Sequence, residues 1–247
     1  MKLASAALAL IFALQPVAAK ASTTESRTVA RWQKKLRKLD QRIEAGDYQE
    51  VLKSADKLIL VEMVPSLLQG EGGAELLALA TVYKALAESG LGDTEAAVWH
   101  WQIAQNLDPK LRQVSLAKFG PTAHLLEYNR LRMAHESPRD LRVIDLDDPE
   151  RAPQIGPRAL ETPYPMIPES LQPFWYDEKA EIEVVIDRNG RVLSPVVLRG
   201  KLPGKIYLGL EAMRVWKYRP AILDGEPVAV FFDLEDFYEK LKIGSED

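Results

Sequence analysis

The chain has no cysteine among its 247 residues. That absence excludes a disulfide staple, a thiolate nucleophile or metal ligand, and a lipid attached to cysteine at an export cleavage site. Histidine is scarce as well: His100, His124 and His135 are the three present, and none stands at metal-site spacing. No glycine loop of the phosphate-binding kind and no nucleophile elbow occurs. Gly70-Glu71-Gly72-Gly73 is rich in glycine, but it lacks a preceding strand and a lysine and reads as a loop. Asp147 and Asp148 are adjacent acids in a proline-rich stretch, a poor place to hold a catalytic geometry. The expectation is a non-catalytic protein with no cofactor and no metal. The enzymatic alternative left open is hydrolysis of a cell-wall or carbohydrate polymer.

Long apolar runs are also missing. Leu3 to Leu14 carries no charge but covers only about a dozen residues, whereas a spanning helix needs roughly 20. Lys2 precedes it, Gln15-Pro16 breaks it, and Val17-Ala18-Ala19 puts small side chains at a cleavage site. Residues 1–19 therefore read as a secretory signal peptide, cut after Ala19 or, as second choice, after Ala21. The expected location is the periplasm, with no integral membrane span after cleavage. The alternative retains the segment as an inner-membrane anchor.

The formal net charge of −4 becomes −5 once Lys2 is lost, which argues against nucleic acid as a partner of the chain as a whole. A local exception runs from Arg27 to Arg42, where seven basic residues face one acid, Asp40. Val29, Trp32, Leu36, Leu39 and Ile43 recur at three and four, so the apolar residues share one helical face and the basic ones lie elsewhere. Those basic residues form a solvated face or a contact for anionic lipid or cell-wall polymer.

Gly46-Asp47-Tyr48 interrupts this first helix, and the spacing of Tyr48, Val51, Leu52, Ala55, Leu58 and Ile59 predicts a second. Pro65 and Gln69 to Gly73 predict a loop. Leu76, Leu79, Ala80, Tyr83 and Ala87 mark a third helix, and Ala97, Trp101, Ala104 and Leu107 a fourth. A fifth is expected from Pro121 to about His135. Gly92-Asp93, Ala96-Ala97, Trp101, Ala104 and Leu107-Asp108-Pro109 together resemble a tetratricopeptide repeat. Gly46-Asp47 is a weaker copy 46 residues upstream, against a usual period of about 34. The resemblance implies protein binding along a groove; the plainer role is a helical spacer. Residues 27–136 are the expected helical domain.

Residues 137–173 hold eight of the sixteen prolines and read as an extended linker. Beyond it, over 174–240, the period changes to two. Ile182, Val184 and Ile186 alternate into a strand, Asp187-Arg188-Asn189-Gly190 forms a hairpin turn, and Arg191 to Leu198 returns. Pro195 marks this second strand as an edge or a bulge. Leu208, Ala212 and Val215 give the inner face of a helix. Trp216, Tyr218 and Pro220 lie on a third strand, and Asp224-Gly225 turns it into a fourth carrying Val228, Val230, Phe232 and Leu234. The expected fold is α+β in two domains: TPR-like helical hairpins, then a β-β-α-β-β domain with an antiparallel sheet.

Trp216-Lys217-Tyr218-Arg219-Pro220-Ala221 followed by Asp224-Gly225-Glu226-Pro227-Val228 resembles the TonB C-terminal domain family. Asp187 to Gly190 matches that family's hairpin, and Tyr164-Pro165 matches the pair that precedes its first strand. The likeness covers about Tyr164 to Phe237. It implies a cell-envelope adaptor whose partner, an envelope protein, adds a strand to an open sheet edge, with Val228, Val230, Phe232 and Leu234 as the candidate edge. Tyr164, Pro165, Asp187, Gly190, Trp216, Tyr218, Pro220, Asp224 and Gly225 read mainly as fold-specifying. The family's energy-transducing members imply the alternative, a membrane-anchored transducer for outer-membrane transport. This chain departs from them in its short uncharged apolar segment, its helical repeats in place of a spacer, and its acidic finish at Asp233 to Asp236.

Overall fold

The computed structural model describes residues 23–69, 73–135, 143–146, 152–163, 167 and 180–234. The expected signal peptide, most of the glycine-rich loop and Tyr164-Pro165 lie outside them. Helices occupy the N-terminal part and antiparallel sheets the C-terminal part. The chain divides into two units, one of residues up to Met63 with Glu71–Leu131, the other of Val64–Gly70 with Arg132 onward.

In the helical unit, α1 (Thr23–Glu44) buries Trp32, Leu36, Leu39 and Ile43, the face that their spacing predicts. Gly46, with a φ of 76°, reverses the chain into α2 (Tyr48–Lys57). The backbone then widens into a π-helical stretch, Leu58–Met63; the chain closes again into α3 (Val64–Leu68), which belongs to the second unit. Pro65 therefore sits in a helix and not in the expected loop. It falls in the first turn of the re-formed α-helix, where a missing N–H is tolerated.

Helix α4 (Ala74–Leu91) is buried at every residue from Leu77 to Glu88, so it is the core of this unit. Helices α1, α2 and α5 (Thr94–Leu107) pack against it. The turn between α4 and α5 shows why Gly-Asp occurs there. Gly92 adopts a left-handed φ of 85°, the Asp93 N–H donates to the Glu88 carbonyl at 3.0 Å, and the Asp93 carboxylate accepts from the Ala96 N–H at 3.1 Å. Asp108 likewise caps a 3-10 turn, Pro109–Gln113, by accepting from the Lys110 N–H. The last helix, α6 (His124–His135), begins three residues later than Pro121. Gly120, at φ 64° and ψ −145°, breaks the helical path, and Pro121 lies in a 3-10 stretch that precedes α6.

The first strand of the second unit lies inside the segment expected to be a linker. Residues Arg158–Glu161 form β1, Ile144 bridges Val230, and Ile155 bridges Ile222. Strand β2 (Glu181–Ile186) follows, with Ile182, Val184 and Ile186 fully buried. It pairs antiparallel with β3 (Val192–Arg199). Glu183 faces Val196 and Val185 faces Leu193, so β3 carries an extra residue, and Ser194 takes a positive φ of 48° beside Pro195. This is a bulge on a strand that also ends the sheet order, which answers both expectations for Pro195.

Helix α7 (Pro203–Met213) comes next. Its buried side is Tyr207, Leu210 and Met213 with Leu208; Ala212 is half-buried and Val215 is 52% exposed, beyond the helix end. The expected face was displaced because α7 also packs on α3. At Gly204 a Cβ would stand 2.8 Å from the Val64 carbonyl oxygen, so the two backbones meet where only glycine fits.

The chain then breaks into short strands. They are β4 (Lys217–Arg219), β5 (Ala221–Leu223), β6 (Glu226–Val228) and β7 (Val230–Leu234). Two strands were expected here and four are present, interrupted at Pro220 and Ala229. They do not complete one sheet. The order β3-β2-β7 forms a three-stranded sheet, β4 pairs with β1, and β5 pairs with β6. Proline explains the first break, because Pro220 has no N–H for a ladder.

Candidate functional site

Four of the residues that carry the family resemblance, Asp187, Gly190, Trp216 and Tyr218, lie together where the β2–β3 turn meets β4. Asp187 organises its turn: its carboxylate accepts from the backbone N–H groups of Asn189 and Arg191, each at 2.8 Å, and pairs with the Arg191 guanidinium at 2.9 Å. Gly190 closes the turn at φ 78° and lies against β4, its carbonyl accepting from the Tyr218 N–H at 2.8 Å. A Cβ at Gly190 would be 1.8 Å from the Tyr218 carbonyl oxygen. Trp216 is buried, and its indole N–H donates to the Pro163 carbonyl at 2.9 Å. Tyr218 packs edge-on against Phe232, ring centroids 5.8 Å apart. Burial pushes the Tyr218 phenol up to about 12.

Asp224 and Gly225 form the β5–β6 turn, with φ of 53° and 83°. The Gln154 side chain clasps that turn, donating to the Asp224 carboxylate at 3.1 Å and accepting from its N–H at 2.8 Å. Pro220 is half-buried between β4 and β5. Of the four candidate edge residues, Val228 lies on β6, paired with Ala221, and is separated from the rest. Val230, Phe232 and Leu234 lie on β7 and pair with Ile186, Val184 and Ile182 of β2.

Strand β7 is the end strand of the three-stranded sheet on that side. Its outer backbone, however, belongs to other residues. The Phe231 N–H donates outward to the Ile144 carbonyl at 3.0 Å, and the Ile144 N–H donates to the Ala229 carbonyl at 2.9 Å. Because alternate residues of a strand turn their N–H and C=O to opposite sides, Asp233 shares the outward side with Phe231, and Val230, Phe232 and Leu234 bond inward. Val230 is buried and Phe232 half-buried, and among the described residues no backbone partner meets the outward side at Asp233. Among the described residues no strand pairs with β7 on this side; Ile144 alone bridges it, in parallel sense. Side-chain alternation could not find Phe231 and Asp233, since backbone direction depends on register.

A second concentration of polar groups surrounds α4. The Tyr83 hydroxyl donates to Asp40 at 2.9 Å, and Lys118 reaches the same carboxylate at 3.3 Å while lying 4.3 Å from the Phe119 ring centroid. His100 Nδ1 is 2.6 Å from Glu88, and Lys84 is 2.9 Å from Asp56. Burial first, and then the Asp40 charge and hydrogen bond, raise the Tyr83 phenol well above its usual range. Asp40 pairs with Lys118 and Asp56 with Lys84 as opposite charges, and Glu88 is met by the His100 ring. These contacts join α4 to α1, α2 and α5.

Among the described residues no group of three His, Asp or Glu side chains is placed to hold a metal ion, and no helix is long and apolar enough to cross a membrane. No family model, curated protein or solved structure matches the chain.

Proposed function

We propose that the protein is an exported, non-catalytic adaptor of the cell envelope that binds a partner protein. In this reading the helical unit is of tetratricopeptide type, the sheet unit is of the TonB C-terminal type, and the first 19 residues direct export to the periplasm. The partner adds an extended segment to the outer edge of β7, with the helical unit as a second contact or as a spacer. One observation carries the reading: on that edge β7 pairs with a single residue of its own chain, Ile144, and with no strand among the described residues. Main-chain bonding of this kind supplies affinity whatever the side chains are. The fold-specifying role of Asp187, Gly190, Trp216 and Tyr218 is supported by the burial of Gly190, Trp216 and Tyr218 and by the turn hydrogen bonds of Asp187.

The decisive variant is Asp233→Pro in the full chain. Proline is tolerated on an edge strand where its nitrogen faces outward, and its ring blocks an incoming strand. Chemical crosslinking in envelope extract should join the wild-type chain to a discrete protein, and Asp233→Pro should lose that product while melting at the wild-type temperature. Equal crosslinking by both chains would eliminate the edge as the site.

A further inference from the structure

The exposed side of α1 carries a row of basic residues, with Glu44 as an exposed acid at its C-terminal end. Arg27, Arg31, Lys34, Arg37, Lys38 and Gln41 are exposed and recur along the side opposite the buried Trp32, Leu36, Leu39 and Ile43. Arg31 and Lys35 reach Glu62, and Arg42 reaches Glu50. Arg27, Lys34, Arg37 and Lys38 have no acidic partner among the described residues. Asp40 cannot neutralise the row, because it is buried and bound to Tyr83 and Lys118.

A face that served solubility alone would gain from interleaved signs, and like charges four residues apart, such as Lys34 and Lys38, weaken a helix. The row also runs against the overall charge of −4. We infer that this stripe docks the protein on an anionic lipid surface. At 22 residues the helix is about 33 Å long, and its free cations are long flexible stems in a row. That form suits a plane of headgroups and makes no shaped pocket. Trp32, the helix's aromatic residue, is fully buried, so no ring is offered for stacking on nucleic-acid bases. The inference is independent of the strand-edge reading, since the stripe and β7 belong to different units.

Vesicle co-sedimentation tests it, using the full chain as processed by its host and vesicles of phosphatidylcholine with or without 30% phosphatidylglycerol. Each basic residue close to such a surface strengthens binding roughly fivefold. The combined substitution Arg27→Gln, Lys34→Gln, Lys38→Gln should therefore weaken binding to the anionic vesicles on the order of 100-fold. Wild-type binding should fall steeply as salt rises from about 50 to 300 mM. All three positions are exposed, so the variant should melt with the wild type, and comparing the two on the same vesicles cancels any contribution from Leu3–Leu14. Binding that is equal on neutral vesicles, or unchanged in the triple variant, overturns the inference. So does binding to soluble polyglutamate with none to either vesicle, which would make the partner an acidic polymer.

Discussion

In the helical unit α4 is enclosed by the side chains of α1, α2 and α5, and Gly92-Asp93 sets one turn by local bonds alone. The sheet unit is assembled from pieces far apart. Ile144 meets Val230, Ile155 meets Ile222, Gly190 meets Tyr218, and Val64 meets Gly204. Its strands are three to eight residues long and form three small antiparallel sheets. The first unit is held by large buried side chains, the second by backbone approaching backbone. Substitutions should separate the two modes.

The largest effect is expected at Gly190→Ala. A Cβ there overlaps the Tyr218 carbonyl, and the residue also needs a positive φ, so the sheet unit should lose more than about 4 kcal/mol and unfold. Thermal unfolding followed by near-ultraviolet and helical signals should show the helical unit melting at its usual temperature. A joint collapse would show that the units are one cooperative body. Leu36→Ala removes a fully buried side chain from the helical unit and should cost about 3 kcal/mol by urea titration, leaving the sheet signal alone.

Asp40→Ala should cost about 2 kcal/mol, because it leaves the buried Tyr83 hydroxyl without its acceptor and Lys118 without its counter-charge. Alkali probes both units. Tyr83 and Tyr218 each hold their proton more tightly when folded than the ordinary value near 10. Their stabilising contribution is therefore complete below about pH 10 and is lost as pH rises, for Tyr218 through about 12. Urea midpoints should fall between pH 9 and 11.5, and Tyr218→Phe should flatten that fall in the sheet unit. The smallest change is Asp93→Ala, about 1 kcal/mol for the lost cap of α5.

The same contrast explains what could be read from the chain unaided. Trp32, Leu36, Leu39 and Ile43 are buried where a period of 3.6 puts them, and the Gly-Asp pair announces its turn through chemistry that needs no distant partner. The bulge at Pro195 is legible for the same reason. Other features depend on residues more than fifty positions away. The α7 face is set partly by α3, so Leu208, Ala212 and Val215 could not reveal that Tyr207, Leu210 and Met213 point inward. Residues 137–173 looked like linker because proline suppresses periodicity, yet β1 and two bridges draw their order from partners between 217 and 230. At the candidate edge, alternation marked one strand from Val228 to Leu234, which the structure divides between β6 and β7. It gave the side chains, and the outward backbone at Phe231 and Asp233 waited on register.

The meeting of Gly204 with Val64 has a consequence for dissection and for folding order. Val64–Leu68 belongs to the unit that otherwise begins at Arg132, so that unit is not a continuous piece of chain. A fragment cut at Arg132 would carry α7 with its Gly204 side bare, an apolar strip inviting aggregation. During synthesis, Val64, Leu67 and Leu68 appear long before the helix that covers them. They are an early-made keystone, idle until the last third of the polypeptide arrives to close over them.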